Sequence, residues 1–127
     1  MKRTDVEKLE KIMGQLEGLH REISALARKS PNDGLNKFKL KFVNSALANA
    51  NEFLGNNYKP LDGFEQFDAD ELPTNSDVAF ILASYLEEIE RMRADNIKLL
   101  YSKWIYILSD SEEKIRTAPP KKIKEKK

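Results

Sequence analysis

The sequence predicts an all-α fold: a small antiparallel helical bundle of three long helices plus a short C-terminal helix, with a long ordered crossover loop. Apolar residues recur at three- and four-residue steps along most of the chain, which is the spacing of one helical face. All five prolines fall between or after these stripes. A chain of 127 residues with 40% hydrophobic residues fits one domain with one modest core, which we assign to residues 1–118.

The first helix is predicted to run from about Thr4 to Arg28 or Lys29. Thr4 and Glu7 stand at the spacing of a capping box, in which each side chain satisfies an unpaired backbone N–H at the start of a helix. The segment 30–34, Ser-Pro-Asn-Asp-Gly, then predicts a turn and an antiparallel return of the chain. The apolar stripe of this helix comprises Leu9, Ile12, Met13, Leu16, Leu19, Ile23 and Leu26.

The second helix is predicted over residues 35–54, although its start is ambiguous. Phe38, Leu40 and Phe42 alternate with lysines, as they would in a strand. We favour a helix because the apolar arc continues over the whole segment, which is rich in alanine and ends at Gly55. The arc, which includes Phe38 and Phe42, covers more than half of the helix, so we expect this helix at the centre of the bundle, between neighbours.

Residues 56–75 form the predicted crossover, whose aromatic and leucine side chains we expect to pack against the helices. Thr74 and Asp77 stand at the spacing of a second capping box, so the third helix is predicted to start near Ser76. Beyond residues 93–96 the apolar stripe turns by roughly 70° around the helical wheel. The third helix therefore either bends or breaks at that point.

The end of the chain is predicted to hold a short last helix and a tail. Ser109 and Glu112 offer a third capping box, which predicts a helix over Asp110–Thr117. Residues 119–127 begin with two prolines and are rich in lysine, so we expect a disordered tail. No apolar run approaches the roughly 18 residues of a membrane span, and the chain contains no cysteine. These features predict a cytoplasmic protein without membrane contact.

The composition supplies few groups for catalysis. His20 is the single histidine, and without cysteine there is no thiol nucleophile or thiolate metal site. The five glycines do not form a nucleotide-binding loop. Glu17 and His20 have the Glu-x-x-His spacing of di-iron bundles, but such a site needs a second copy of the motif. We therefore predict no enzyme, cofactor, metal or small-molecule substrate, and keep a metal-dependent helical-bundle enzyme as an alternative.

The net charge of +1 hides a strong segregation of charge along the chain. Residues 1–60 carry 11 basic and 7 acidic groups, residues 61–113 carry 4 and 13, and residues 114–127 carry 7 and 1. An acidic middle of this kind can lie against a basic surface of the same chain, of a second copy or of a partner. Ordinary solvated faces are the alternative interpretation.

Residues 97–108 are the strongest candidate for an interaction surface. On a helix their apolar side chains would surround the whole circumference, which a bundle of this size cannot bury by itself. The sequence therefore predicts a non-enzymatic helical protein-interaction module, such as an adaptor, an inhibitor or a small subunit, that self-associates or binds a partner. Burial inside a monomeric bundle is the alternative. The predicted contact residues are Ile97, Leu100, Tyr101, Trp104, Ile105 and Leu108.

Two further surfaces are candidates. Phe64 and Phe67 lie among five acidic residues of the crossover and could receive a basic partner, or could anchor the loop to the core. A nucleic-acid-associated regulator that binds phosphates through lysines is the alternative function. The near-neutral net charge does not favour it. Its contact residues would be Lys37, Lys39, Lys41, Lys121, Lys122 and Lys124.

Overall fold

Residues 1–121 are described by the computed structural model of the chain, and they form three long helices followed by a β-hairpin. A single turn of 3-10 helix, Asn56–Tyr58, follows the second helix. The helices are α1 (Arg3–Lys29), α2 (Lys37–Leu54) and α3 (Asn75–Asp95), and the strands are β1 (Ile97–Leu100) and β2 (Lys103–Tyr106).

The all-α prediction is wrong because residues 97–106 form an antiparallel β-hairpin instead of a helix. The third helix ends at Asp95, so of the two predicted alternatives the break is correct. Tyr101 and Ser102 form the two-residue turn of the hairpin, and both have a positive φ, 49° and 67°. Such a turn matches the twist of paired strands, and asparagine and glycine normally form it.

The short C-terminal helix predicted over Asp110–Thr117 is also wrong. The Tyr106 N–H donates to the Ile115 carbonyl at 3.0 Å. The Thr117 N–H in turn donates to the Trp104 carbonyl, also at 3.0 Å. These bonds to β2 replace the hydrogen bonds that a helix would form within itself.

The second and third helices both begin beside the end of α1 and run back along it. The Ser76 N–H donates to the Pro31 carbonyl at 3.1 Å, and the Leu35 N–H donates to the Pro73 carbonyl at 2.8 Å. The starts of α2 and α3 are therefore tied to each other and to the turn after α1. The hairpin follows α3 at the other end of the bundle, next to the start of α1.

The core forms where the stripes of the three helices meet one face of the hairpin. Side chains alternate between the two faces of a strand, so Ile97 and Tyr106, which are partners in the hairpin register, share a face and are both buried. The buried helical residues of the core are Val6, Leu9, Ile12, Leu16, Ile23, Leu40, Val43, Ala46, Leu47, Ala50, Leu54, Val78, Ile81, Leu82, Tyr85 and Ile89.

Local capping contacts set the helix starts. The first helix begins before the predicted cap, because the Lys2 N–H donates to the Asp5 carboxylate at 2.8 Å and Thr4 lies inside the helix. The cap predicted at Thr74 is confirmed, since the Asp77 N–H donates to its hydroxyl oxygen at 3.1 Å. A capping side chain thus sets the start of the third helix where the sequence predicts it.

The crossover, residues 56–74, is fixed to α2 by two asparagine side chains. Asn44 accepts from the Phe67 N–H at 2.9 Å and donates to the Phe67 carbonyl at 3.0 Å. Asn51 donates to the Glu65 carbonyl at 2.8 Å. Backbone groups of the loop are therefore paired where the loop lies against the helix.

The C-terminal strap, residues 115–121, is held by a buried ion pair of α3. Arg93 and Glu90, whose side chains are 3% and 10% exposed, are joined by two hydrogen bonds of 2.8 and 2.9 Å. Arg93 also donates to three oxygen atoms of residues 117–119. The Lys121 N–H donates to the Glu90 carboxylate at 2.9 Å. The pair therefore links α3 to the strap.

The protonation of this pair follows from its contacts. Burial, the largest influence on the Glu90 carboxyl, raises its pKa, but the hydrogen bonds from Arg93 and from the Lys121 N–H outweigh burial and lower the pKa below its usual value. The hydrogen bond to Glu90 raises the pKa of Arg93. Both side chains are therefore charged at neutral pH. Residues 119–121 of the predicted tail are tied to α3 by this pair, and residues 122–127 lie outside the described residues.

Candidate protein-interaction surface

The hairpin places the predicted contact residues of segment 97–108 in different environments. Tyr101, at the turn, is 91% exposed. A strand has two faces instead of a full circumference, so the prediction that this segment is apolar on all sides does not hold. The other predicted contact residues are buried or half-buried, namely Ile97, Leu100, Trp104, Ile105 and Leu108.

The two phenylalanines of the acidic crossover lie against the bundle. Phe64 and Phe67 are half-buried and pack on the core. Their rings meet edge to face, with centroids 5.0 Å apart and planes at 71°. The acidic side chains around them are exposed. This placement matches the interpretation in which the aromatic residues anchor the loop.

Glu17 and His20, the pair considered for a metal site, lie on α1 beside Leu86 of α3 along a shallow groove. Among residues 1–121, no three histidine, aspartate or glutamate side chains come together in a way that could hold a metal ion. The pair therefore lacks, in this part of the chain, the further ligands that a di-iron site requires. None of the helices described is long and apolar enough to cross a membrane.

Two phenylalanines of α2 are exposed, although the apolar arc of that helix predicts them as core residues. Phe38 is 71% and Phe42 is 50% exposed, and their rings pack edge to face with centroids 5.0 Å apart. The opposite side of the helix, with Leu40, Val43 and Leu47, is buried. The width of the arc predicts a helix enclosed between neighbours, and this prediction is wrong. Part of the arc faces solvent instead.

These phenylalanines belong to an exposed strip along the helix. At 100° per residue, Ser45 and Asn49 lie within about 60° of Phe38 and Phe42 on the helical wheel. All four residues are exposed. We call Phe38, Phe42, Ser45 and Asn49 the α2 face. Its first half is aromatic, and its second half carries small polar side chains.

Lysines border the α2 face. Lys41 lies about 60° from Phe38 on one side of the helical wheel, and Lys39 lies about 60° from Phe42 on the other. Lys39 forms an ion pair with Glu22 of α1, with Nζ and Oε1 2.7 Å apart. Lys37 and Lys41 are exposed. Of the α2 lysines predicted to bind nucleic acid, Lys39 is therefore engaged in an ion pair, and the other two are open to solvent.

The lysines predicted in the tail belong to another region of the chain. Lys121 is exposed in the strap. Lys122 and Lys124 lie outside the described residues.

A groove between α1 and α2 adjoins the α2 face. Phe42 forms one wall of the groove, and Leu19 of α1 supplies its other large apolar side chain. The remaining lining residues are small or polar, so a partner backbone can approach closely here. They are Gln15, Ser45, Ala46 and Asn49.

The sequence predicts Phe38 and Phe42 as core residues, although it also contains a signal of their exposure. On a helix, a residue and its second neighbour are about 200° apart. Phe38 and Leu40 therefore cannot both face one core, and neither can Leu40 and Phe42. With Leu40 buried, the two phenylalanines are turned outward.

Large exposed hydrophobic side chains also occur outside α2. Phe80 on α3 and Leu99 on β1 are exposed, in addition to Tyr101 at the turn. Within residues 1–121, paired aromatic rings occur at Phe38–Phe42 and at Phe64–Phe67. No known protein family, curated protein or solved structure matches the chain significantly. The candidate surface therefore rests on geometry and charge.

Proposed function

We propose that this chain is a non-enzymatic protein-interaction module that binds a partner protein through the α2 face. The observation that carries the proposal is the exposed edge-to-face pair Phe38–Phe42, on a helix whose other side already fills the core. Single exposed apolar residues are ordinary on protein surfaces. A contiguous aromatic patch with a polar border is instead typical of a binding site.

Burial of this pair in an interface would provide free energy that the isolated chain does not gain. Fully burying a phenylalanine side chain contributes about 1.5–3 kcal/mol. The two rings are held on a rigid helix, which limits the conformational entropy lost on binding. Phe38 and Phe42 can therefore serve as the anchor of an interface, with the lysines as its polar rim.

A non-enzymatic function is supported by the residues available for chemistry. His20 lies in a shallow groove beside Glu17 and Arg21 rather than in a deep cleft, and the chain has no cysteine. The cytoplasm is the compartment we propose, because a cysteine-free chain carries no sign of an oxidising environment. The proposal thus concerns recognition of a protein and no chemical step.

Affinity capture from the native host, followed by identification of the partner and reconstitution from purified proteins, tests this function. The bait variant Phe38→Ser/Phe42→Ser removes the aromatic pair. A matched control, Leu99→Ser/Tyr101→Ser, removes two exposed apolar side chains from the hairpin instead. Circular dichroism of each bait verifies that it is folded.

The proposal expects a partner that binds the wild type and the hairpin variant and that is lost with the α2 variant. A partner that tolerates the α2 variant contradicts the proposal. If the same partner is lost with the hairpin variant, the binding site lies in segment 97–108, the surface that the sequence predicts.

A further inference from the structure

We propose that the segment bound by the α2 face is an amphipathic helix whose apolar stripe is bordered by acidic side chains. This inference rests on the function proposed above and specifies the chemistry of its ligand. It follows from the charge beside the phenylalanines, from the length of the α2 face, and from the like charges that a symmetric contact centred on the phenylalanines would bring together.

Positive charge borders the aromatic half of the α2 face, whereas the exposed Glu52 lies beyond Asn49 at its other end. Residues 21–41 contain six basic and two acidic side chains, and one of the acids, Glu22, is paired with Lys39. Lys41 and Lys37 are exposed on the side of the helix next to Phe38, about 60° and 100° from it. A ligand with acidic borders would be attracted to this surface, and its charges would fix the orientation of the apolar stripe.

The α2 face and the adjoining groove match a short helix in length. From Phe38 to Asn49 the α2 face extends about 16 Å, at 1.5 Å per residue, which is roughly three helical turns. Phe42 belongs to both the face and the groove, where Leu19 and Ala46 also line the wall. A helix with apolar residues at i, i+4, i+7 and i+11 presents a stripe of about this length.

A second copy of the chain is poorly matched to this face. In a symmetric dimer the same patch of each copy meets itself. If the two-fold axis passes through the phenylalanine pair, Lys37 and Lys41 of one copy are brought close to the same lysines of the other. Like charges placed together across an interface are unfavourable. The charge around the phenylalanines therefore favours a different, acidic partner.

A single-stranded nucleic acid is a competing ligand, because bases stack on exposed aromatic rings beside basic groups. In the Phe38–Phe42 pair the planes are at 75°, so the rings do not form two parallel stacking platforms. Lys39 is also engaged by Glu22 instead of lying open for a phosphate. The arrangement therefore favours an acidic helix.

Two synthetic amphipathic peptides of about five helical turns test the inference. They share one leucine stripe, and the positions beside it are glutamate in one peptide and lysine in the other. Fluorescence anisotropy measures their binding to the wild-type protein, to Lys37→Glu/Lys41→Glu and to Phe42→Ser. A single-stranded oligonucleotide is the third ligand. The lysine variant changes only exposed side chains, so its fold should be that of the wild type, which circular dichroism verifies.

The acidic peptide is expected to bind the wild-type protein at least about tenfold more tightly than the basic peptide. The variant Lys37→Glu/Lys41→Glu should reverse this preference. Phe42→Ser should weaken the acidic peptide by about tenfold or more, because it removes an apolar anchor. Added salt should weaken the acidic peptide as well.

Equal binding of the two peptides, binding of neither, or Phe42-dependent binding of the oligonucleotide in their place overturns the inference. The function proposed above fails on a different result, namely capture of the native partner that does not depend on Phe38 and Phe42. If capture of the partner depends on the phenylalanines while the protein shows no preference for the acidic peptide, the acidic helix is rejected as the ligand. That combination would still support the proposed interaction module.

Discussion

Two phenylalanine pairs of this chain have nearly the same geometry and opposite surroundings. Phe38–Phe42 on α2 and Phe64–Phe67 in the crossover both pack edge to face, with ring centroids 5.0 Å apart and planes at 75° and 71°. The crossover pair packs on the core, whereas the α2 pair is exposed. The same ring contact therefore accompanies an anchored loop in one region and an open surface in the other.

The difference lies in what the backbone around each pair requires. The crossover lacks regular secondary structure over most of its length, so its backbone groups need other partners, and Asn44 pairs with both the N–H and the carbonyl of Phe67. A helix satisfies its own backbone. Phe38 and Phe42 therefore have no comparable backbone to anchor, and their exposure supports the binding role proposed above.

The strap is a second anchored segment, and its anchor should be the most costly to remove. Arg93→Ala leaves the Glu90 carboxylate buried without its main partner and removes the donor to residues 117–119. We expect the free energy of unfolding to fall by about 3–5 kcal/mol, as for other broken buried ion pairs. Urea denaturation measures this change, and a loss below about 1 kcal/mol would show that the pair does not anchor the strap.

The same pair predicts a pH dependence. The pKa of Glu90 is lowered in the folded protein. The ionised carboxylate therefore contributes fully to the free energy of unfolding above the ordinary glutamate pKa of about 4.3. This contribution is lost as the pH falls through the lower pKa of the folded protein. In Arg93→Ala burial is less strongly opposed and raises the pKa of Glu90, so protonation relieves the buried charge. The stability difference between wild type and variant should shrink on acidification; a difference that grows would argue against this account.

The anchored aromatic pair should be the next most sensitive site. Phe67→Ala removes a half-buried ring that packs on the core, and we expect a loss of about 2 kcal/mol, less than the 3–5 kcal/mol of a fully buried phenylalanine. Phe42→Ala on the α2 face is the matched control. Thermal or urea denaturation compares them, and an equal loss in both variants would remove the distinction between the two pairs.

The amide that holds the crossover should have a smaller effect. Asn44→Ala breaks both hydrogen bonds to the Phe67 backbone, and we expect a loss of about 1–3 kcal/mol because the backbone groups beside the helix are left without protein partners. Asn49→Ala, an exposed amide on the same helix, is the control and should change stability by less than about 0.5 kcal/mol. Proteolysis within residues 56–74 should increase in the Asn44 variant alone.

The smallest effect on stability is expected at the α2 face itself. Phe38→Ser/Phe42→Ser should change the free energy of unfolding by less than about 1 kcal/mol, because neither ring belongs to the buried core. The variant should nevertheless lose its partner. A large loss of stability would mean that the pair supports the fold, as we expect of Phe64–Phe67.

The helices could be predicted from the sequence because their signals are local and repeated. The apolar stripes continue over several turns, and the Thr74 cap is three residues from its donor. The hairpin could not be predicted in this way, because its turn is Tyr101–Ser102, which carries positive φ without the usual asparagine or glycine. Leucine and lysine in β1 are equally compatible with a helix.

The candidate site could be predicted only in part, because exposure depends on how the elements pack. The sequence marks Phe38 and Phe42 as apolar, but only the packing of α2 against its neighbours shows which side of the helix remains open. Glu90 and Arg93 have the spacing of an ordinary surface pair on a helix. Their burial depends on the return of residues 115–121, which no local pattern predicts.

The most direct test of the α2 face is a two-dimensional NMR titration of the wild-type protein with the partner recovered from its host. The account predicts that the largest shifts fall in residues 37–49 and on the ring signals of Phe38 and Phe42, and that Phe38→Ser/Phe42→Ser abolishes them. Shifts confined to the hairpin at 97–107, or to the crossover at 62–72, would contradict it.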